Sequence, residues 1–391
     1  MINEKLLGKR AISQIAIIVV VVVIIVIAAA GGIYFATLGS SKTTTTSVST
    51  ATSTVTSTST ATTISTATST VTANSTSLTN INIVVVPADD TAPVYIALKN
   101  GYFAQQGLNV TIKVLGSPVL ETDALASGAA QIGLLSTPSL MSDFDQHFNY
   151  QFIAPATIVQ YPNGSQVGSY LPPTNGVVNS PHAVVVLASS GITSLTQLPG
   201  KTVGMASLPI EVGMNVVLGQ LGVNASKVNY QILPTPSLLG ALEQKRVDAI
   251  SLLQPFTEEM ILANQSGPTA GQFRIIGDDQ HYASAMIAGW IASPAWANYN
   301  QAIVQKFLTG LREGVAAVGS NHALVQEYLV NYLNINATVA ASMPLPVYYS
   351  NATLPYSYIQ SQINAGIQYG IFQSTDNATD IVDSTFLTLT P

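Results

Sequence analysis

The feature that most constrains the fold is a regular alternation of short apolar runs and helix-like stretches, which begins at Asn80. The run Ile81–Val86 is apolar and rich in β-branched residues, which is typical of a buried strand. A helix-like pattern follows from Pro93, a residue type that favours the first turn of a helix. Strands and helices that alternate at this spacing predict parallel sheets with helices on both faces, so the predicted fold class is α/β.

The alternation continues to Pro294, and the sequence after that point is mostly helical. The predicted strands are Ile81–Val86, Val110–Leu115, Ile132–Leu135, Val184–Leu187, Thr202–Met205, Tyr230–Leu233, Ala249–Leu253 and Arg274–Ile276. The later predicted helices are Ile210–Leu221, Ser237–Gln244, Thr257–Ala263, Trp296–Val318, His322–Tyr332 and Tyr356–Tyr369. This pattern predicts a fold class but not a function, because many functions share the class.

An apolar run without any charged side chain extends from Ile15 to Ala36. As a helix it would span about 33 Å, enough for a hydrocarbon core of about 30 Å. A cluster of basic residues precedes the run, which favours an N-terminus in the cytoplasm. These basic residues are Lys5, Lys9 and Arg10. We therefore expect residues 1–14 to be cytoplasmic, residues 15–38 to form a transmembrane helix, and the rest of a single-pass protein to lie outside the cell membrane.

The start of the chain could be a cleaved secretory signal or a retained anchor. An ordinary signal has a shorter apolar core followed by a small-residue cleavage site, and no such site is evident here. The stretch Lys9–Ile18 resembles instead an archaeal prepilin-type signal. In that family the peptidase cuts after a basic–small pair, here Arg10–Ala11, and the apolar helix stays on the mature protein. Cleavage after Ala11 stays open, whereas the resemblance implies a signal-anchor.

Residues 39–79 form a low-complexity linker, in which 29 of the 40 residues from Ser40 to Thr79 are Ser or Thr. So little apolar surface cannot offset the entropy of ordering a chain, so we expect a flexible, O-glycosylated spacer. An unglycosylated linker would tether the protein equally well. Asn-x-Ser/Thr sequons also suit an exported glycoprotein. They begin at Asn74, Asn109, Asn163, Asn224, Asn264, Asn336, Asn351 and Asn377.

The composition argues against several functions. The chain has no cysteine, which removes thiolate catalysis, iron–sulphur clusters and cysteine zinc sites. Its four histidines lie far apart, without metal-ligand spacing, and no cofactor motif is present, so we expect neither a metal nor a cofactor. Only 8% of residues are charged and they form no basic stripe, which argues against nucleic acid as a partner. Either an acidic habitat or compositional drift could explain the low charge.

Four blocks, in order along the chain, resemble one known family. They are Pro93–Val110, Asp123–Gly133, Leu198–Gly204 and Gly240–Ile250. The family comprises the nitrate-, sulfonate-, taurine- and thiamine-precursor-binding proteins of ABC importers. The resemblance implies a bilobal, periplasmic-binding-protein-like fold of type II. Lobe 1 would consist of residues 80–182 plus 290–391, and lobe 2 of residues 183–289.

The resemblance also implies a binding protein and not an enzyme. Such a receptor traps a small-molecule ligand in the cleft between two hinged lobes and delivers it to an ABC permease and its ATPase. The ligand stays open among nitrate, an organosulfonate and a thiamine-precursor-like heterocycle. Two alternatives also stay open: a pilin-like structural protein of the cell surface, and an enzyme related to pyrimidine-precursor synthases. The second would need a cysteine-rich motif, which this chain lacks.

Ligands of open α/β sheets bind beyond the carboxyl ends of the strands, and this rule selects the candidate binding residues. The polar and turn candidates are Asp89, Asp90, Thr91, Ser117, Ser136, Thr137, Ser139, Thr157, Ser207, Leu208, Pro209, Thr235 and Gln254. The aromatic candidates for a stacking wall are Tyr95, Phe256 and Trp290, with Tyr161 and Tyr282 as further choices. No residue is assigned a catalytic role.

Most of these candidates also have a structural explanation. Ser136, Ser207 and Thr235 precede helices, where a hydroxyl can simply cap the first turn, although the free N–H groups there also suit an anion or polar head group. The aromatic residues could pack in the core or at the rim. The pair Asp89–Asp90 could serve acid–base chemistry, but one of the two could equally cap the next helix. The family usually has an acidic residue before the proline that follows Gln254, so the neutral amide puts cationic contacts of the relatives in doubt.

Overall fold

The computed structural model describes residues 78–115, 117–172, 180, 182–266, 268–373 and 376–391. These residues belong to one compact unit. The expected cytoplasmic segment, the expected transmembrane helix and the linker up to residue 77 lie outside the described residues. Among the described residues, no helix combines the length and apolar composition that a membrane crossing requires.

The described part of the chain forms two large sheets and one small one. The strands are β1 (Thr79–Val85), β2 (Leu108–Val114), β3 (Ile132–Leu135), β4 (Gln151–Val159), β5 (His182–Leu187), β6 (Thr202–Met205), β7 (Asn229–Ile232), β8 (Ala249–Leu253), β9 (Phe273–Gly277), β10 (Ala285–Ala292), β11 (Val347–Tyr348), β12 (Thr353–Pro355) and β13 (Thr388–Thr390). The first sheet has the order β11-β4-β10-β3-β1-β2, the second has the order β7-β6-β8-β5-β9, and β12 pairs with β13.

Helices cover the sheets and connect the strands. They are α1 (Ala92–Lys99), α2 (Tyr102–Gln105), α3 (Pro118–Ala126), α4 (Thr137–Asp145), α5 (Leu208–Gln220), α6 (Thr235–Glu243), α7 (Phe256–Gln265), α8 (Pro294–Tyr299), α9 (Gln301–Ser320), α10 (His322–Leu333), α11 (Ala337–Ser342) and α12 (Ser357–Gln368). A single 3-10 turn, Asp89–Thr91, separates β1 from α1. The α/β class predicted from the alternation is therefore confirmed.

Both sheets are mixed, whereas the alternation predicted parallel sheets. In the first sheet β1 pairs in parallel with β2 and β3, but β10 runs antiparallel to β3 and β4. In the second sheet β6 pairs in parallel with β7 and β8, but β5 runs antiparallel to β8 and β9. β5 and β10 are the strands with which the chain enters the second sheet and returns to the first. A strand that enters from the other sheet starts at the edge where the parallel strands end, so it must run the opposite way.

The sequence analysis missed β4 and β10. β4 contains Pro155, which cannot donate to a ladder, and on the side away from β10 this strand is paired only in part, by β11 at Thr157 and Ile158 and by a bridge from Phe152 to Val382. The second missed strand, β10, has a weak strand signal because alanine and glycine interrupt it. One predicted helix is instead two, α8 and α9, separated at Asn300.

The predicted boundary of the second lobe also needs correction. It was placed after residue 289, but β10 begins at Ala285 and pairs throughout with strands of the first sheet. Residues 285–289 therefore belong to the first sheet. The remaining lobe boundaries stay a prediction.

A close helix contact fixes the turn that follows β1. Helix α9 packs against α1, and a Cβ atom added at Gly314 would lie 2.3 Å from the backbone oxygen of Pro93 in α1. Beside this contact the rings of Phe103 and Phe307 stack at 5.4 Å, and Trp290 meets Phe307 edge-on at 5.5 Å. Because α1 starts directly after the turn Asp89–Thr91, this packing holds the end of β1 in place.

We predict that Gly314→Ala destabilises the protein by about 1–3 kcal/mol, because the added methyl group would overpack against a backbone oxygen. This loss opposes the gain of up to about 1 kcal/mol that alanine brings to a helix. Urea unfolding measures the difference. The matched control is Gly319→Ala in the same helix, where an added Cβ meets no atom within 4 Å. Equal stability of the two variants would contradict the packing argument.

Candidate functional site

Strand ends of both large sheets line a common cleft. The ends of β1, β3 and β4 from the first sheet and of β6 and β8 from the second contribute lining residues, and so do the starts of β5 and β10. The chain crosses between the sheets twice, from β4 to β5 and from β9 to β10. Two cavities of about 140 Å³ and 280 Å³ lie in this cleft. Both are lined by Asp90, His182, Leu253 and Ile287, so they adjoin each other.

Half of the predicted binding residues line these two cavities. They are Asp89, Asp90, Ser136, Ser139, Thr157, Ser207, Pro209 and Gln254. The strand-end rule selected them from separate points of the chain, and the fold brings them together. That they contact a ligand stays a prediction.

The three aromatic candidates lie elsewhere. Trp290 is 1% exposed in the core beneath the first sheet, so a stacking role for its ring is wrong in this structure. Phe256 packs into the core beside the second sheet. The ring of Tyr95 packs against Tyr328 and Tyr332, with centroids 4.9 Å and 5.0 Å away. The cleft therefore has no stacking wall built from these residues. Their rings instead pack against core residues or neighbouring helices.

The remaining candidates serve local structure. Thr91 is fully buried, bonds to the hydroxyl of Tyr328 and lines neither cavity. Thr137 is also fully buried, and its hydroxyl accepts a bond from Gln362 Nε2 at 3.3 Å. Ser117 caps α3 by accepting a bond from the backbone N–H of Leu120.

Of two further candidates, one lies outside the cavities and the other lies between two lining residues. Thr235 is the first residue of α6 and does not line either cavity. Leu208 stands between two lining residues, Ser207 and Pro209, and its own side chain is not described.

Helix capping explains one of the serines but not another. Ser136 Oγ accepts a bond from the backbone N–H of Ser139 at 3.3 Å and so caps α4. Ser207 stands at the start of α5 without any such side-chain bond. The side chain of Gln254 also has a local partner, because its Oε1 accepts from the backbone N–H of Glu258 at 3.3 Å. Of these three side chains, that of Ser207 is the one without a structural task at a helix start.

Two neighbouring carboxyl groups dominate the electrostatics of the cleft. Burial raises the pKa of Asp89 to about 6. For Asp90, burial and then the negative charge of Asp89 raise the pKa to about 7. No lysine or arginine is among the described residues that line the two cavities. The cleft is therefore acidic, and its charge changes near neutral pH.

A third carboxyl group, that of Glu121, lies near this pair of aspartates. Glu121 in α3 is fully buried, and burial, followed by the charges of Asp90 and Asp143, raises its pKa to about 9. At neutral pH this side chain is therefore protonated. It can act as a hydrogen-bond donor without adding a charge behind the cleft.

The two connections between the sheets form a polar network beside the cleft. Tyr161 in the first connection donates a hydrogen bond to Asp278 Oδ2 in the second at 3.0 Å. Its ring stacks on that of His281 with centroids 3.8 Å apart. His182 Nδ1 donates to Asp279 Oδ1 at 2.8 Å, and Asp279 is fully buried. The connections are thus joined to each other by side-chain contacts and are not independent linkers.

These contacts shift the titration of several groups. Burial lowers the pKa of His182, but the charge of Asp279 and its hydrogen bond outweigh burial, so the pKa is raised overall. For Asp278, burial and then the charge of Asp279 raise the pKa to about 7. Burial and the charge of Asp278 raise the pKa of Tyr161 well above its usual value, so this tyrosine stays a donor.

The sequence analysis missed His182, Gln280, Ile287 and Gln362, which all line the cleft. Gln280 follows β9, so the same strand-end rule could have found it. His182 and Ile287 stand at or near the starts of the antiparallel strands, which the rule does not cover. Gln362 comes from α12 and is 5% exposed, and no local pattern marks it.

The buried carboxyl of Glu121 predicts a pH dependence of stability. Its pKa is about 9 in the folded protein and 4.5 ordinarily, so the folded state binds more protons between these values. The stability that this group contributes is fully present below pH 4.5 and is lost as the pH rises toward 9. At pH 7 the free energy of unfolding has fallen by roughly 3 kcal/mol because of this group. In urea unfolding, Glu121→Gln should lose that much less stability than the wild type between pH 4.5 and 7. The exposed Glu243→Gln is the control, and equal slopes for the wild type and Glu121→Gln would refute the assignment.

Comparison with known proteins supports one architecture. A family model described as "NMT1/THI5 like" matches residues 88–165 and 174–321. No curated protein matches the sequence. Among solved structures, the periplasmic aliphatic sulphonate binding protein SsuA from Escherichia coli superposes with a TM-score of 0.61 at 14% identity, over 79% of this chain and 98% of that one.

Two further structures are similar to the same degree. The periplasmic nitrate-binding protein NrtA from Synechocystis PCC 6803 has a TM-score of 0.59 at 13% identity, over 78% of this chain and 85% of that one. A ligand binding component of an ABC-type import system from Staphylococcus aureus has a TM-score of 0.60 at 12% identity, over 79% and 97%. At such low identity these likenesses establish the fold, which is the bilobal type of the periplasmic binding proteins.

Proposed function

This chain belongs to the NMT1/THI5-like family, and on that premise we propose that it is the solute-binding receptor of an ABC importer. The observation that carries the proposal is the cleft, which takes its lining residues from the strand ends of two separate sheets. A ligand in this position contacts both sheets at once. Closure of the two halves around it would bury the ligand, as in other hinged binding proteins.

The relatives support a transport role and not an enzymatic one. The similar structures are named as binding proteins for aliphatic sulphonate and nitrate, or as the ligand-binding component of an import system. The chain is accordingly a binding protein and not an enzyme. Its partners would be a small-molecule ligand and the permease and ATPase subunits that receive it. No feature of the described residues favours the pilin-like or the synthase-related alternative.

The ligand is a small molecule with several hydrogen-bonding groups. The two cavities offer about 140 Å³ and 280 Å³, which suits a compact solute. Nitrate, an organosulfonate and a thiamine-precursor-like heterocycle are the three classes to test first. Hydroxyl groups of Ser139, Thr157 and Ser207 would provide the neutral polar contacts.

The location of the receptor is part of the same proposal. The apolar run Ile15–Ala36 would anchor the chain in the cell membrane, and the Ser/Thr-rich linker would carry the binding region outside the cell. Six of the sequons have exposed asparagines in the described part, which is compatible with a glycosylated surface. They are Asn109, Asn163, Asn224, Asn336, Asn351 and Asn377.

Asn264 differs from these six sequons. Its side chain both donates to and accepts from the backbone of Phe273, at 3.0 Å and 2.9 Å. A glycan on this nitrogen would break that pair of bonds, so we propose that Asn264 stays unmodified.

A thermal-shift screen of the full chain tests the receptor proposal. We expect one of the three compound classes to raise the melting temperature, since a ligand at a hundred times its Kd adds about 2.7 kcal/mol of stability. Ser207→Ala should weaken the response without lowering the melting temperature of the free protein, because Ser207 caps nothing. The control is Ser127→Ala, an exposed serine outside the two cavities. An unchanged response in Ser207→Ala would remove this residue from the site.

A further inference from the structure

We infer that the ligand carries a positively charged nitrogen group, which binds in a subsite formed by Asp89, Asp90 and Thr157. The inference rests on the proposed function, because it takes the cleft to be the ligand site. It goes beyond that function by naming the charge of the ligand. It also departs from the nitrate and sulphonate named for the similar structures.

The three residues converge on the smaller cavity. Asp89 and Asp90 form the 3-10 turn that ends β1, and Thr157 lies near the end of β4. All three line the cavity of about 140 Å³, and Ala88 lines it as well. Strands β1 and β4 are not neighbours in the sheet, so the subsite is built by tertiary packing.

The two carboxyl groups have no positive partner in the described part of the chain. The ion pairs found there join Lys99 to Glu327 and His182 to Asp279. The tyrosine hydroxyls near the turn are engaged elsewhere. That of Tyr348 donates to the backbone oxygen of Asp89 at 3.0 Å, and that of Tyr328 bonds to Thr91. A cation in the cavity would provide the missing countercharge.

Unpartnered polar atoms provide a second, independent observation. Thr157 is 1% exposed, and its Oγ1 has no hydrogen-bond partner. Oδ1 of Asp90 is also buried without a partner. A buried polar atom without a partner costs about 1–3 kcal/mol, and a ligand, an ordered water or an ion can offset that cost. An ammonium group has three donors and could serve one oxygen of each of the three side chains.

The occupant is an organic cation and not a metal ion. Among the described residues, no group of three or more histidine, aspartate or glutamate side chains is arranged to hold a metal. Calcium takes six to eight oxygen ligands, whereas the two carboxyl groups here belong to one turn. A protonated amine needs only a few acceptors at hydrogen-bond distance, which is what this cavity offers.

The titration of the cleft gives the inference a pH dependence. The pKa values of about 6 for Asp89 and about 7 for Asp90 mean that a bound cation must displace protons near neutral pH. The other titratable groups that act on this turn are the raised-pKa Tyr328 and Tyr348, which stay neutral, and Glu121, which is also neutral below its pKa of about 9.

Across the cleft, His182 gains a positive charge as pH falls, since its pKa is raised overall. Protonation of the carboxyl groups and of His182 therefore acts in the same direction. Acid removes negative charge on one wall and adds positive charge on the other. Affinity for a cation should fall as pH falls below 7, by up to about tenfold per pH unit for each carboxyl group that must ionise.

The test measures thermal shifts and calorimetric affinities of the full chain, purified in detergent, at pH 7.5 and 5.5. The probes are ethanolamine, taurine, isethionate, nitrate and 4-amino-5-hydroxymethyl-2-methylpyrimidine. Taurine and isethionate form the decisive pair, because they differ only in an ammonium group in place of a hydroxyl. We expect a shift with at least one ammonium compound, none with isethionate or nitrate, and weaker binding at pH 5.5.

Variants identify the subsite. Asp89→Asn and Asp90→Asn keep the shape and remove the charge, and each should weaken binding of the ammonium compound at least about tenfold, the scale of an ion-paired contact in a desolvated site. Thr157→Val removes the unpartnered hydroxyl and should weaken it less. Asp123→Asn, an exposed carboxyl on α3 outside both cavities, is the control and should bind like the wild type.

The possible outcomes separate this inference from the receptor proposal. A shift at pH 7.5 with isethionate, nitrate or the pyrimidine, which is uncharged at that pH, and none with either ammonium compound, would overturn the inference and leave the receptor standing. Undiminished binding of an ammonium compound by Asp90→Asn would overturn it as well. If no compound shifts the melting temperature of the wild type, the receptor proposal fails for these classes and the inference fails with it.

Discussion

The direction in which the chain enters each sheet decides where the cleft lies. β5 and β10 each arrive from the other sheet, so they begin at the edge where the parallel strands of their own sheet end. Strand starts and strand ends therefore share one edge in each sheet, and these two edges line the same cleft. Because both crossings occur at this edge, the connections also run along the cleft. A ligand there contacts the segments that join the two halves.

The two connections between the sheets also bury carboxyl groups. Asp278 and Asp279 are fully buried between them, next to Tyr161 and His182. Buried carboxyl groups are tolerated when hydrogen bonds, an opposite charge or protonation compensates for the lost hydration. The second connection also lies close to α5, since a Cβ atom at Gly213 would fall 2.4 Å from the backbone oxygen of Asp279. The bridge between the halves is thus tightly packed on one side.

The charge of this protein is sparse but unevenly placed. Only 8% of its residues are charged, and yet two carboxyl groups face the cleft without a basic partner among the described residues. Burial of such a pair makes its ionised form costly, and raised pKa values of this kind are enriched at functional sites. The helix starts at Ser136 and Ser207 lie on the walls of the adjoining cavity, where the positive ends of the helix dipoles favour a negatively charged group. The cleft therefore combines a region that favours positive charge with a region that favours negative charge.

The sequence by itself determined the fold class and about a third of the residues that line the cleft. Runs such as Ile132–Leu135 and Thr202–Met205 predicted strands with their observed bounds, because a short, mostly apolar run bounded by turn residues is typical of a buried strand. The strand-end rule then selected Asp89, Asp90 and Gln254, since that rule depends only on order along the chain.

The tertiary structure decided the rest. The antiparallel strands β5 and β10 place His182 and Ile287 at the cleft, and strand direction depends on where the chain crosses between sheets, which no local pattern encodes. It also decided which aromatic residues are core, because Trp290 is buried by packing against the distant Phe307. The protonation of the cleft was equally beyond the sequence, because a pKa depends on burial and neighbouring charge, and both arise only when distant segments meet.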